Sequence, residues 1–392
     1  MINNCDTYLF VVPWDIKHAG GVNQVVINMA RYFIKKSIYK VIILVVDWDA
    51  IAPVYSEYLG IQVVRWRVMS LKSNMNFKEK ISYFLWERLF YYRFNNFCIC
   101  NSIKIINFHY PNPVAFSLKN IVDKIRHNIF FIFSFHGSDI KYLSKIKKDD
   151  IIYYNKFFNK FCAIVTCSID LKNQVLSTFH SLNNIHVAYN GIDTDKFMNF
   201  SGNSKFNLPK KYILSVSNFI ERKGLDILIK AYNLFLQKNE EYDLVIVGAP
   251  GESFEKMQML RAQLKLSSKV HFYTDINNDS IYSFYENASA FVLSSRGEAF
   301  PLVLLEAALF SLPVISTNVG GVVELIENNI SGIIIDVEDI NALQLSMIKI
   351  FENISFKNDI SSNLNSKVSK YFTLDNSVSC YLQIIKNYFS GK

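Results

Sequence analysis

Ser294-Ser295-Arg296-Gly297-Glu298-Ala299-Phe300-Pro301-Leu302-Val303-Leu304-Leu305-Glu306-Ala307 is the stretch on which the reading of this chain turns. The apolar residues just before it, 290–293, have the length and composition of a buried strand, and a helical apolar pattern begins at about Leu302. Pro301 suits the first turn of that helix, where the missing N–H would have had no partner anyway. What lies between is a loop at the carboxyl end of a strand, the edge at which parallel α/β sheets bind ligands. A helix starting there aims unpaired amides and the positive end of its dipole at the same edge, so residues Phe300, Pro301, Leu302 and Val303 suit a diphosphate. Glu306, about one turn in, is placed to accept paired hydrogen bonds from vicinal hydroxyls. Two glutamates eight apart also arise by chance on solvated helix faces, so the spacing needs support from the rest of the chain.

That support begins with the rhythm on either side. Short β-branched and aromatic runs alternate with helical patterns at 8–12, 24–35, 41–46, 103–108, 129–135, 163–167 and 185–189. A polar stretch, 198–209, has little periodicity and reads as a linker or domain edge. The alternation resumes at 212–216, 225–237, 243–247, 270–273, 290–293, about 302 onward, 313–317 and 332–335. This is the pattern of βα units in parallel sheets. With 392 residues, half of them apolar, two doubly wound domains of similar size are expected.

Composition narrows the class. No apolar run approaches the roughly 18–20 residues that span a bilayer, so no transmembrane helix is expected. The N-terminus lacks a basic region before its apolar stretch and reads as a first strand, which places the protein in the cytoplasm. Six cysteines, Cys5, Cys98, Cys100, Cys162, Cys167 and Cys380, form no C-x-x-C pair and read as reduced core thiols. The charge of +8 is lopsided: residues 1–200 carry 24 Lys and Arg against 14 Asp and Glu, and residues 201–392 carry 18 against 20. A basic first half favours an anionic partner. The basic residues are scattered and no nucleic-acid motif appears, so a nucleic-acid partner is not expected.

Residues 294–307 match the E-x7-E signature of glycosyltransferase family 4, with Glu298 and Glu306 in register. Further segments resemble that family in its own order: Gly20-Gly21-Val22 before a helix, His136-Gly137-Ser138-Asp139, Asn190-Gly191-Ile192-Asp193 with Phe197, Arg222-Lys223-Gly224, and Gly320-Gly321 with Glu324. The resemblance covers nearly the whole chain. It implies the α/β GT-B fold, two Rossmann-like doubly wound domains facing a central cleft. Residues 1–197 would bind the acceptor and residues 198–373 the nucleotide-sugar donor, with a C-terminal helix, 374–392, packing back on the first domain.

Gly20 and Gly21 let the backbone approach a phosphate or sugar closely; an isolated Gly-Gly would read as a plain strand-to-helix turn. By resemblance, His136 contacts the donor sugar, Glu298 faces that sugar, and both are the candidate catalytic residues. Lys223 and Arg222 follow the strand at 212–216, where cations neutralise charge on a departing diphosphate. The family usually carries an arginine at the position of Asn218, which removes half of the usual two-cation clamp. Arg222 either reaches in to compensate or is a solvated surface charge. Glu324 reads as structural, and residues 190–193 as an architectural crossing between domains.

The resemblance further implies retention of anomeric configuration, no cofactor, no metal, and a nucleotide-diphosphate donor of UDP or GDP type. The implied acceptor is a glycan or polyprenyl-diphosphate-linked saccharide of bacterial surface polysaccharide biosynthesis. Residues 75–97, rich in aromatic and leucine residues with Lys78, Lys80, Arg88 and Arg93, read either as a core helix or as an amphipathic helix lying on an anionic membrane. With the basic first half, this suggests peripheral association with the cytoplasmic face of the inner membrane. Asp47-Trp48-Asp49 would serve a metal-dependent transferase of a different fold, but a second D-x-D at Asp193-Thr194-Asp195 shows how cheaply that triplet arises. An epimerase, or a non-catalytic nucleotide-sugar sensor or assembly protein, would use the same scaffold, and Asn218 is the feature that favours the sensor.

Overall fold

The computed structural model describes residues 6–18, 20–69, 75–110, 125, 129–143, 148–159, 163–198, 200, 206–276 and 280–390. Residues 1–4 of the N-terminal reading, Cys5, Cys162, and residues 199 and 201–205 of the polar stretch lie outside that set. The chain forms two compact units, residues 1–189 with 377–392, and residues 190–376.

The first unit holds β1 (Thr7–Val12), β2 (Lys40–Val46), β3 (Val54–Tyr58), β4 (Ile61–Trp66), β5 (Ile103–His109), β6 (Phe130–Phe135), β7 (Ala163–Thr166) and β8 (Ile185–Val187), ordered β3-β4-β2-β1-β5-β6-β7-β8. Every neighbouring pair is parallel except β3 with β4. β1, β6 and β7 are buried along their whole length, as continuous apolar strands covered on both faces must be. The β3–β4 hairpin is absent from the sequence reading. Its strand Val54–Tyr58 is an exposed edge with no apolar alternation, and its turn, Leu59-Gly60, takes positive φ at both residues, the twist that suits a two-residue hairpin.

The helix read at 75–97 spans Phe77–Cys100, started by a capping box between Asn76 and Glu79. Its inner row, Tyr83, Phe90, Phe94 and Phe97, is buried, the last three around Trp66. Its outer face is also apolar: Phe77 is 77 % exposed, Phe84 61 %, Leu85 67 % and Ile99 68 %. The last helix, Leu374–Ser390, sets Tyr388 against Phe130 at 4.5 Å and Tyr381 Oη 3.3 Å from Ser134 Oγ.

The second unit holds β9 (Tyr212–Val216), β10 (Asp243–Val247), β11 (Val270–Tyr273), β12 (Ala290–Leu293), β13 (Val314–Thr317) and β14 (Ile333–Ile335), all parallel in the order β11-β10-β9-β12-β13-β14. Every strand expected here is found within one or two residues of its predicted bounds. Residues 190–197, read above with the first domain, pack with the second unit. Phe197 lies against Tyr282 at 4.6 Å and Phe310 at 5.3 Å, and Ile192 bridges to Thr373. Gly191 is required there, because an added Cβ would come within 2.3 Å of the Thr373 carbonyl oxygen. The polar run 198–209 marks a loop, but the apolar anchors that decide allegiance come before it.

Candidate active site

Each sheet has one point where successive connections depart in opposite directions, between β1 and β5 in the first unit and between β9 and β12 in the second. Loops at the carboxyl ends of the strands flanking such a point form a ligand crevice. In the second unit these are residues 217–224 and 294–301, so the topology brings Arg222-Lys223 to Glu298 across some 75 residues of chain. The two loops are laced together. Gly224 sits at φ 61, and an added Cβ would lie 2.1 Å from the Ser294 carbonyl oxygen, so only glycine passes there. The Arg296 amide donates to the Arg222 carbonyl at 2.7 Å, and Ser294 Oγ to that of Lys223 at 3.2 Å.

Lys223 Nζ then donates to Glu298 Oε1 at 2.6 Å, and Ser295 Oγ donates to the same oxygen at 2.6 Å. Arg222 Nη1 donates to the Gly297 carbonyl at 2.5 Å and stands 3.5 Å from Glu298 Oε2. The glutamate side chain is 8 % exposed. Burial pushes its carboxyl up, but the charges of Lys223 and Arg222 and the bonds from Lys223 and Ser295 outweigh burial and hold it below the ordinary value. Arg222 turns its guanidinium toward this loop while its side chain stays 38 % exposed. Lys223 and Glu298, given separate tasks above, are direct partners. Asn218 accepts from the Ala249 amide at 3.1 Å and ties the loop after β9 to the one after β10.

The helix Leu302–Leu309 begins after Pro301, which stands at its N-cap, one residue earlier than the first-turn position read above. Among the described residues the amides of Leu302 and Val303 have no acceptor, as the first amides of a helix do not unless something caps them. Phe300 presents no side chain to a ligand: its ring is buried against Phe372 at 5.4 Å, and its carbonyl accepts from Asn190 at 3.2 Å. Gly321 donates to the Ala299 carbonyl at 3.0 Å, joining the loop after β13 to the same edge, and Glu324 sits in the short helix Val322–Leu325. Glu306 accepts from Tyr285 Oη at 2.7 Å. Burial raises its carboxyl to about 7, against the Tyr285 bond and the Lys196 charge. Tyr285 escaped the sequence reading because one tyrosine among many aromatics carries no signal.

In the first unit, Gly20 and Gly21 open the helix Gly21–Lys35, and an added Cβ on either would meet nothing within 4 Å. Neither the backbone nor any described neighbour demands glycine there. The preceding loop is held by buried Asn23, which accepts from Trp14 Nε1 and donates to the carbonyls of Asp15 and His18, each at 2.9 Å. His136 follows β6 in a turn built on Asp139. That buried carboxylate accepts from the amides of His136, Gly137 and Ile140 at 2.6, 2.7 and 2.8 Å. Nε2 of His136 lies 2.8 Å from Nδ1 of His109, with the rings 5.0 Å apart. Burial pushes the His136 imidazole down to about 4, and burial with the neighbouring ring holds His109 well below its usual value. At neutral pH the pair is uncharged and shares one proton between the facing nitrogens, which turns Nδ1 of His136 away from His109. His109 is a second residue the sequence reading missed. Asp47 of the D-x-D lies 3.8 Å from Arg65, which also pairs with Asp15 at 2.7 Å, and accepts from the Asp49 amide.

Both units are doubly wound, one carrying a cation–glutamate cluster beside open helix amides and the other a neutral histidine at a strand end. Residues 19–196 match the family described as Glycosyltransferase Family 4, and residues 197–367 that described as Glycosyl transferases group 1. The chain belongs to glycosyltransferase family 4. It is 28 % identical over 260 residues to an uncharacterized glycosyltransferase of Methanocaldococcus jannaschii, spanning 63 % of this chain and 66 %, just under two thirds, of that relative's length. It is 25 % identical over 298 residues to the O-antigen chain mannosyltransferase C of Escherichia coli, 74 % of this chain and 76 % of the relative. Its fold matches a crystal structure of Anabaena HepE in complex with UDP and glucose at a TM-score of 0.73 and 16 % identity, over 98 % of this chain and 100 % of that one.

Proposed function

We propose that the protein is a retaining, metal-independent hexosyltransferase that moves a sugar from a UDP- or GDP-type donor to a glycan or polyprenyl-diphosphate-linked acceptor in bacterial surface polysaccharide biosynthesis. The observation that carries this reading is the buried Glu298 held by Lys223, Ser295 and Arg222 beside the unpaired amides of Leu302 and Val303. Such a cluster suits charge that develops during transfer: the ammonium, guanidinium and helix start attract a departing diphosphate, and the carboxylate sits where the sugar gains positive charge. By resemblance to the family, His136, fixed by Asp139 and neutral, is the first unit's candidate sugar-contacting residue. Gly20 and Gly21 leave room for close approach to the substrate. Glu306 takes the ribose hydroxyls, and Asn218 supports this half-site through the Ala249 amide.

Retention follows from same-face attack. The bond from the anomeric carbon to the diphosphate oxygen breaks, the acceptor oxygen bonds to that carbon on the same face, and the acceptor's proton passes to the departing oxygen. Strong loss of turnover in Glu298→Ala and His136→Ala with folding retained supports the reading; full activity in either overturns it, and loss of activity in excess chelator overturns metal independence. The name of the E. coli relative supports the polysaccharide context.

For the membrane, the support is the helix Phe77–Cys100, whose exposed apolar row is flanked by exposed Lys78, Lys80, Arg88 and Arg93. An exposed apolar row set among cations suits the headgroup region of an anionic leaflet, even though this helix is apolar on its buried face as well and so is not strictly amphipathic. Among the described residues no helix is long and apolar enough to cross a membrane. A second reading, a non-catalytic nucleotide-sugar sensor, is favoured by Asn218 alone. Product formation with any donor and acceptor excludes it.

A further inference from the structure

The ribose reading of Glu306 leaves a question of geometry. A carboxylate on a helix has freedom about its last torsion, and to accept two vicinal hydroxyls it must be both charged and held in one plane. Tyr285 supplies the second donor. It lies in the short helix Tyr282–Glu286 that leads into β12, and its Oη donates to Glu306 Oε2 at 2.7 Å. Among the described residues Oε1 has no hydrogen-bond partner. The phenol cannot wander, because its ring is stacked between Phe291 at 5.6 Å and 19° and Phe310 at 5.7 Å and 6°. Phe310 directly follows the helix that carries Glu306 and is braced in turn by Phe197 at 5.3 Å.

We infer that Tyr285 is the positioning residue of the nucleotide subsite, pinning one oxygen of Glu306 so that the other meets the ribose hydroxyls. The inference rests on the proposed function, in which Glu306 binds ribose. A carboxylate has about four acceptor directions, and one phenol leaves enough of them for two hydroxyls. The phenol also bears on charge. Burial carries the Glu306 carboxyl to about 7, and the Tyr285 bond and the Lys196 charge hold it from going higher; Lys196 stands 5.0 Å over the ring of Tyr282, which neighbours Tyr285. The Tyr285 phenol is itself pushed well above its ordinary value by burial and by Glu306, so it stays a donor throughout the working range. Without it, Glu306 protonates more readily and turns from acceptor to donor.

The test is calorimetric binding of UDP and GDP, and of their 2′,3′-dideoxy counterparts, to wild type, Tyr285→Phe, Glu306→Gln and the double variant between pH 6 and 9. Phenylalanine fills the same stacked slot. Expected are weaker nucleotide binding by Tyr285→Phe at pH 7.5, on the order of tenfold, partial recovery towards pH 9, no loss for the dideoxy ligands, and no further loss when Tyr285→Phe is added to Glu306→Gln. Equal losses on ribose and dideoxy ligands, or an additive double variant, make Tyr285 a packing residue and overturn the inference. Failure of the wild type to distinguish ribose from dideoxy nucleotides overturns the ribose reading of Glu306 itself, a result visible without any variant.

Discussion

Replacing Glu298 by Gln keeps the shape of the side chain and removes its charge, and the structure sets the cost. Lys223, 16 % exposed, loses the carboxylate 2.6 Å away, and Arg222, 38 % exposed, loses its partner at 3.5 Å. Removing one member of a buried ion pair costs roughly 3–5 kcal/mol, and the partial exposure of both cations brings this to about 2–3 kcal/mol. For a unit of this size that lowers Tm by about 5–10 °C. The pH dependence has a definite sign. The carboxyl of Glu298 is depressed in the folded protein, so its stabilisation is present above the unfolded value and is lost as pH falls through the folded value. Wild type is therefore expected to lose its advantage over Glu298→Gln on acidification below about pH 4. Calorimetric unfolding of Glu298→Gln, Lys223→Met and the double variant closes a cycle in which the pair is expected to couple by about 1–2 kcal/mol. Strictly additive effects, or a Tm gap that does not narrow in acid, would refute the idea that Glu298 is an ionised partner of Lys223.

Four further outcomes follow from the same geometry. Gly224→Ala forces a Cβ onto the Ser294 carbonyl at positive φ, and is expected to unfold the second unit at a cost of about 3 kcal/mol or more, read by urea denaturation. Because His136 is held near 4, its neutral form persists across the physiological range, and the pH–rate profile is expected to lack a histidine inflection between 6 and 7; such an inflection, lost in His136→Gln, would contradict this. His109→Phe removes the partner of His136 Nε2 and is expected to lower kcat by roughly tenfold to a hundredfold with little change in KM, measured by steady-state kinetics. Phe84→Glu with Leu85→Glu, on the exposed face of the helix Phe77–Cys100, should abolish flotation with anionic liposomes at low salt and leave Tm within about 1 °C.

Much of the fold was legible because parallel strands buried on both faces are continuous apolar runs, and runs such as Leu244–Val247 and Phe291–Leu293 have few other uses in a chain of this length. The hairpin Val54–Tyr58 with Ile61–Trp66 was not legible, since an exposed edge strand has no apolar period to read. The boundary near residue 190 was misplaced because polarity marks a loop, whereas allegiance depends on which aromatic rings Phe197 finds.

The sequence by itself determined the alternation of strands and helices and the loop around Glu298 at a strand's carboxyl end, because these depend only on neighbours along the chain. Tertiary structure alone decided that Lys223 and Arg222 share Glu298, that Tyr285 holds Glu306, and that His109 faces His136. Lys223 and Arg222 reach Glu298 because β9 lies beside β12, His109 reaches His136 because β5 lies beside β6, and Tyr285 reaches Glu306 because their helices flank β12.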